Sequence, residues 1–406
     1  MAPASEINEV LAAQRVERVR YAIRDIAVLA EQLARSGNEI TFLNIGDPLL
    51  FDFRTPPHLI EAVTRAMRDG KNGYAPSLGV EEALEAIRAE SERKGIHNIQ
   101  TVFATYGVSE AVDICLTGLV NPGENVLVPR PDYPLYSAVL GKIDAEANFY
   151  DLDEASDWQP DLAQMESRVN TKTRAVVVIN PNNPTGAVYS RKTLEAIASL
   201  ARRHGLVIVT DEIYDKLILD DEPFVSVASL APDVPVVTLN GLSKAYLVPG
   251  WRVGWTAVSG PAAATRNYVE ALHKLVRARL SANHALQYAV RPALTGPQDH
   301  LTAVREKLRR RRAVLMEWCA SEPGVRCVEP CGAFYAFPRI EISGGDEDFA
   351  RALLMEKHVL IVHGSGFGWS QDDPHFRVVF LPGEETLRHA FHSISDFLHG
   401  AGELHR

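Results

Sequence analysis

A lysine just past a buried strand is either solvated or held in a pocket, and Lys244 stands just past the apolar run 236–239. In a pocket its ammonium form loses hydration, and the neutral amine becomes a nucleophile for carbonyl carbon. Arg252 follows between Trp251 and Val253, with Gly250 and Gly254 on either side. A cation in so apolar a setting calls for an anion. Ser243-Lys244 followed by Gly-x-Arg-x-Gly thus suggests a lysine for an aldehyde and an arginine for a phosphate. Asp211 ends a second apolar run, 206–210. A buried carboxylate without a partner costs on the order of several kcal/mol. Asp211 therefore needs an arginine, a helix N-cap position, or a protonated ring nitrogen whose positive charge makes the ring an electron sink. Tyr214, three residues on, would reach a phenolic oxygen of that ring from a helical turn. Gly107-Val108-Ser109-Glu110-Ala111 reads as a helix start, where free N–H groups and a hydroxyl either cap the helix or hold an anion. It matches neither G-x-G-x-x-G nor a Walker A loop, which argues against a dinucleotide or nucleoside triphosphate.

These groups need a scaffold that aims them at one place. From about residue 100 the chain alternates short apolar runs with helical patterns, the mark of an α/β domain with a largely parallel sheet. The runs 125–128, 175–179, 206–210 and 236–239 are continuously apolar, as strands buried on both faces should be. They lead into Pro129-Arg130-Pro131-Asp132-Tyr133, Asn180-Pro181-Asn182-Asn183-Pro184-Thr185-Gly186, Asp211-Glu212-Ile213-Tyr214 and Ser243-Lys244. In open α/β sheets ligands bind outside the carboxyl ends of the strands, so the four polar segments converge. Upstream, Ile23, Ile26, Ala27, Leu29, Ala30 and Leu33 predict an amphipathic helix over 20–36, ended by Gly37. A strand over 41–45 leads to Gly46-Asp47-Pro48, where the glycine makes a turn or admits a close backbone approach. Beyond 261 come helices (267–282 and 301–319) mixed with short strands (331–338, 358–362, 376–380), which suggests a smaller α+β unit.

Composition narrows the class. The 406 residues are 46% apolar and 23% charged, ordinary for a globular protein that buries a large core. A net charge of −10 argues against a nucleic-acid partner. The basic run Arg309 to Arg312 is read as the solvated face of a helix. Cys115, Cys319, Cys327 and Cys331 form no zinc-type pair and suggest no disulfide framework, so no metal and a reducing cytoplasm are expected. The first residues carry Glu6 and Glu9 rather than a basic leader, and no apolar run approaches the ~20 residues that span a bilayer. A cytoplasmic protein without membrane contact is expected.

Nearly end to end, the chain resembles the class I aminotransferases, fold-type I enzymes that use pyridoxal 5′-phosphate (PLP). The residues that carry the likeness are Asn182-Asn183-Pro184-Thr185-Gly186, Asp211-Glu212-Ile213-Tyr214 and Ser243-Lys244 through Gly254, in family order. Arg20-Tyr21-Ala22-Ile23-Arg24, Leu43-Asn44-Ile45-Gly46-Asp47-Pro48, Pro131-Asp132-Tyr133-Pro134-Leu135-Tyr136 and Pro184-Thr185-Gly186-Ala187-Val188-Tyr189-Ser190 look like the bacterial alanine aminotransferase branch. The resemblance implies a mostly parallel seven-stranded sheet in a large PLP-binding domain over 46–280. An N-terminal arm and part of the small domain would occupy 1–45, and the small C-terminal domain 281–406.

It also implies roles. Lys244 would bind the cofactor aldehyde as an imine and move the substrate proton. Asp211 would hold the ring nitrogen, Asn183 and Tyr214 the phenolic oxygen, and Tyr133 would stack on the ring. Val108, Ser109, Ser243 and Arg252 would grip the phosphate, joined by Tyr74 of a neighbouring subunit, so a homodimer with interfacial active sites is expected. Arg377 would clamp the substrate carboxylate with Gly46 and Asn183, and Tyr21 and Arg24 would meet a distal carboxylate. The implied reaction is L-alanine with 2-oxoglutarate giving pyruvate and L-glutamate. Aspartate, aromatic or methionine transamination and a C–S lyase are the alternatives within the fold. A PLP-binding transcriptional regulator would need a DNA-binding module, and the residues before the first strand show no basic recognition face. Two departures stand out: Gly241 where many relatives place a phosphate-binding serine, and an altered loop at Asp47 and Leu49-Leu50-Phe51-Asp52-Phe53. Asn183-Pro184 is expected to be cis, as in many family members.

Overall fold

Apolar runs bounded by turn residues become strands buried on both faces, and the molecule is built around them. The computed structural model describes residues 10–19 and 22–404. A short first strand, β1 (Thr41–Phe42), precedes the main series: β2 (Ile99–Thr105), β3 (Asn125–Arg130), β4 (Glu146–Asp153), β5 (Gln159–Pro160), β6 (Thr173–Ile179), β7 (Val207–Asp211), β8 (Val236–Gly241) and β9 (Gly254–Ser259). They pair in the order β2-β9-β8-β7-β6-β3-β4-β5. The expected seven strands gain an eighth, β5, a two-residue antiparallel addition at the edge. Among the other seven, β9 alone runs against its neighbours. The carboxyl ends of β2, β3, β6, β7 and β8 therefore share one edge of the sheet, and so does the amino end of β9.

Helices cover both faces. Before and beside the sheet lie α1 (Ala22–Arg35), α2 (Pro57–Arg68) and α3 (Glu81–Arg93). The connections carry α4 (Gly107–Thr117), α5 (Leu135–Lys142), α6 (Leu162–Arg168), α7 (Arg191–His204) and α8 (Val227–Leu230), and α9 (Ala262–Ala278) follows β9. Alternation along β6 separates two cores, since successive strand side chains point to opposite faces. Val176 and Val178 meet Leu194 and Ile197 of α7, while Ala175, Val177 and Ile179 join Val112 and Cys115 of α4 and Leu272 of α9.

The rest of the chain forms α10 (Val290–Thr295), α11 (Asp299–Ser321), β10 (Val325–Arg326), β11 (Tyr335–Ala336), β12 (Arg339–Ile340), α12 (Asp346–Lys357), β13 (Val359–Leu360), β14 (Val362–His363), β15 (Phe376–Val379) and α13 (Glu384–Leu404). The strand expected over 41–45 shrinks to β1, which pairs in parallel with β13. Leu43 then bridges to both Leu360 and Val379 through its N–H and carbonyl, both at 2.9 Å, and Asn44 onward departs toward the edge of the large sheet. Those bonds explain the shortening: the backbone must leave the small sheet to reach the cavity. Trp158, from the β4–β5 connection, inserts edge-on among Phe337, Trp369 and His375.

The basic run on α11 is the solvated face expected of it only in part: Arg310 is exposed and Arg309 half-buried, but Arg311 and Arg312 turn inward. Arg311 is buried, donates to the Leu381 carbonyl and pairs with Asp52 at 2.6 Å. Arg312 pairs with Asp220 and Glu329, and Arg310 with Glu384. Desolvating guanidinium groups is costly unless each finds acceptors, and four other segments of the chain supply them. Among the described residues no helix is long and apolar enough to cross a membrane.

Candidate active site

The converging strand ends enclose a cavity of about 550 Å³. Lys244, Asp211, Tyr214, Asn183, Arg252 and Arg377 line it, with Gly46, Val108, Ser109, Tyr133 and Ser243. Residues separated by as many as 350 positions along the chain (27 to 377) thus face one volume, which no local pattern requires.

Lys244 enters from the turn after β8, and its Nζ donates to the Gly46 carbonyl at 2.7 Å. The rings of Phe334 and Tyr214 lie 5.6 and 5.9 Å from the nitrogen. Asp211 ends β7 with its carboxylate buried. Tyr136 donates to Oδ2 at 3.0 Å and the Ile213 N–H to Oδ1 at 3.1 Å. Burial pushes its carboxyl up to about 6, and these two donors only partly oppose that. Asp211 is thus an anionic group whose full stabilisation awaits a cation. Tyr214 reaches the cavity from a tight turn over 213–216 rather than the helical turn expected. Its hydroxyl lies 2.9 Å from that of Tyr335, and burial together with this neighbour keeps the phenol protonated well above its usual range.

At the other end, α4 points its amino terminus into the cavity, where the first N–H groups have no intrahelical acceptor. Because β9 runs antiparallel, the residue just before it, Arg252, arrives at this same corner. Its guanidinium donates to Pro249 O at 3.0 Å and reaches Ser243 Oγ at 3.5 Å. Gly107 sits at φ +72°, a conformation that favours glycine, and a Cβ there would also stand 2.4 Å from the Arg252 Nη2, so the bare backbone lets the helix start and the guanidinium share the corner. Gly241, the departure from the serine pattern, faces Gly254 across β8 and β9. A Cβ there would meet the Val253 carbonyl at 2.7 Å. The space a serine would need is filled by the neighbouring strand.

Arg377 of β15, which also lines the cavity, is buried. Its Nη1 donates to Asn183 Oδ1 at 3.0 Å and its Nη2 to the Asn44 carbonyl. The guanidinium sits 4.7 Å from the Tyr335 ring centre and 4.9 Å from that of Phe367. With the Asn183 oxygen engaged, its amide NH₂ is the end left for a ligand. The close-approach reading of Gly46 holds, since a Cβ there would fall 2.0 Å from the Tyr335 hydroxyl.

Tyr74 does not reach this cavity; it is 80% exposed. Tyr21 lies outside the described residues, as does the side chain of Arg24. Ala27 and Glu31 of α1 do line the cavity. The cis bond expected at Asn183-Pro184 is found at Asn180-Pro181, with another at Arg130-Pro131. The Asn183-Pro184 segment is instead a turn closed by Gly186 N–H to Asn182 O at 3.0 Å, with Thr185 on the Asn182 side-chain oxygen. Sequence reasoning missed Tyr136, Tyr335 and Asn44. Tyr136 was within reach, three residues after Tyr133 at a helix start; Tyr335 sits in a two-residue strand that carries no local signal.

The site suits PLP. A buried carboxylate faces the place of a cationic ring nitrogen, a lysine amine stands on the same cavity wall, and a helix amino terminus with an arginine waits for a dianion. The family model for class I and II aminotransferases matches residues 38–394. The glutamate-pyruvate aminotransferase AlaA of Haemophilus influenzae is 40% identical over 393 residues, 95% of this chain and 97% of that protein. The alanine aminotransferase of Mycobacterium tuberculosis is 38% identical over 394 residues, 95% and 91% of the two chains. Among solved structures, the alanine aminotransferase from Pyrococcus furiosus superposes with a TM-score of 0.92 at 39% identity, covering 96% of this chain and all of that one.

Proposed function

Because this chain belongs to the class I and II aminotransferases, we propose that it is a PLP-dependent alanine aminotransferase, passing an amino group between L-alanine and 2-oxoglutarate to give pyruvate and L-glutamate. The observation that carries the reading is one cavity lined by Lys244, Asp211 and Arg377. When bound, PLP supplies an aldehyde for the amino group and a cationic ring that takes up the electrons of the broken Cα–H bond.

The residues of this chain do the rest. The Lys244 amine would take the proton from the substrate Cα and return it to the carbon that was the cofactor aldehyde, across the nitrogen between them. Asp211 holds the ring nitrogen proton, which a carboxylate with so raised a proton affinity keeps close. Tyr214 donates to the phenolic oxygen beside the Asn183 amide. Val108 and Ser109 N–H groups, the Ser243 hydroxyl and the Arg252 guanidinium grip the phosphate, and Tyr133 covers a ring face. Arg377 fits its planar fork to both oxygens of the substrate carboxylate. Its contacts with Asn183 and Asn44 fix the direction of that fork.

Exposed apolar side chains on α2 (Ile60, Met67) and at Tyr74, Tyr106 and Leu280 support a homodimer in which Tyr74 completes the partner's phosphate site. A half-reaction panel tests the substrate reading. Holoenzyme mixed with single amino acids should lose its visible band to the pyridoxamine form with alanine and with glutamate. Conversion by aromatic amino acids alone would refute the alanine reading, and conversion by none would refute transamination.

A further inference from the structure

Behind the wall that carries Asp211, apart from the cavity it lines, lies a charge cluster in which Glu212 and Asp215 are buried and Lys94 is mostly so. Glu212 is buried, its carboxylate accepting from Ser226 Oγ at 2.5 Å and from Lys94 Nζ at 3.3 Å. The same ammonium pairs with Asp215, also buried, and lies 5.6 Å from the Phe224 ring centre. Lys94 is the C-cap of α3, where a cation meets the negative end of the helix. One turn earlier Glu90 receives Lys216 and Arg93, both at 2.5 Å. The turn after β7 is thus stapled to α3 at positions 212, 215 and 216. Its other three residues, Asp211, Ile213 and Tyr214, are the ones that line the cavity.

The stapling has an electrostatic side. Burial drives Glu212 toward protonation and the Lys94 charge opposes this, while Glu212 in turn raises the proton affinity of Asp211. The other groups facing Asp211 are the hydroxyls of Tyr136 and Tyr214, the Ile213 N–H and the amine of Lys244. Lys216 and Arg93 are both engaged with Glu90, so Lys94 is the cation that meets Glu212 and Asp215.

We propose that Lys94 is a positioning residue for the cofactor chemistry: its ammonium compensates Glu212 and Asp215 and leaves Asp211 as the one uncompensated negative charge presented to the ring nitrogen. This rests on the reading that the ring nitrogen of PLP meets Asp211. Without the ammonium, two further carboxylates bear on that edge of the ring, and Asp211 holds its own proton more tightly.

The test uses the holoenzyme's visible band, whose pH titration reports the proton shared between the Lys244 nitrogen and the cofactor. More negative charge near the ring favours that proton, so Lys94→Met should move the titration midpoint up by about half a pH unit or more and weaken PLP binding about tenfold. Glu212→Gln should move the midpoint down, and the double variant should return close to wild type. Opposite signs that cancel are the signature of charge compensation; a merely mechanical staple would shift both single variants the same way and the double variant furthest. Unchanged midpoints in both single variants, or shifts of one sign, would overturn the proposal. If Lys94→Met does not fold, Glu212→Gln carries the test alone, supporting the proposal by a downward shift and overturning it by none. A wild-type protein that shows no visible band with PLP would instead refute the cofactor reading, a failure distinct from this one.

Discussion

Asp211 is kept at a cost in the cofactor-free protein. A carboxyl raised from 3.8 to about 6 by burial gives stability that is present at low pH and lost as pH rises through the folded value. An asparagine at this position would accept one of the existing hydrogen bonds without the buried charge. D211N should therefore stabilise the cofactor-free protein near neutral pH by roughly 1–3 kcal/mol while abolishing most of its turnover. Urea unfolding of the cofactor-free pair should show the gap narrowing by about 1 kcal/mol between pH 8 and pH 5. An equal gap at both pH values would mean that charge burial is not its origin. Arg377 invites a different test. R377K keeps the charge and loses the fork, so KM for alanine should rise on the order of a hundredfold with a smaller change in kcat. A fall in kcat at constant KM would place Arg377 outside the carboxylate site.

At the level of elements, β8 and β9 behave as one device. Their antiparallel pairing brings Ser243-Lys244 and Arg252 to the same edge, and Gly241 opposite Gly254 lets the backbones close. Restoring the serine that many relatives carry should fail here. G241S would press Cβ against the Val253 carbonyl, at a cost of about 1–3 kcal/mol, and should not tighten PLP binding. Thermal unfolding and a PLP titration check both parts; a stable variant with tighter PLP would show that the strands can part. The loop 47–53 follows the same logic. Asp47 caps its short 3₁₀ turn at Leu49 N–H, and Asp52 is tied to Arg311 and Lys307, which also lie 5.1 and 4.8 Å from the Phe53 ring centre. Although burial opposes it, those two cations hold the Asp52 carboxyl below its usual value. The altered sequence of this loop is thereby anchored to α11, and the Gly46 carbonyl that meets Lys244 stays in register.

For the whole molecule, the proposal of a dimer turns on Tyr74. A side chain 80% exposed, at a position where the resemblance implies a phosphate contact, makes physical sense if a second copy supplies the acceptor. Sedimentation should give twice the 44.7 kDa of one chain. Y74F should then weaken PLP binding about tenfold, the worth of one hydrogen bond to a charged group, without altering sedimentation. A fully active monomer would end that reading.

The strands were legible because their signal is local: β3, β6, β7 and β8 are runs of apolar residues that can only be buried, and each ends in residues too polar to continue. Lys244, Asp211 and Asn183 lie within a few residues of such ends, Arg252 was marked by its spacing from Lys244 between two glycines, and the role of Asn183 came from the family resemblance. What lay beyond sequence was contact between distant segments. Nothing near Tyr335 says that its hydroxyl meets Tyr214, nothing in Arg309 to Arg312 says that Arg311 turns inward to Asp52, and nothing at Lys94 says that it neutralises Glu212. Local pattern fixes which face of an element is apolar; which buried charge finds which partner is settled only when desolvation forces every such group to be matched across the folded chain.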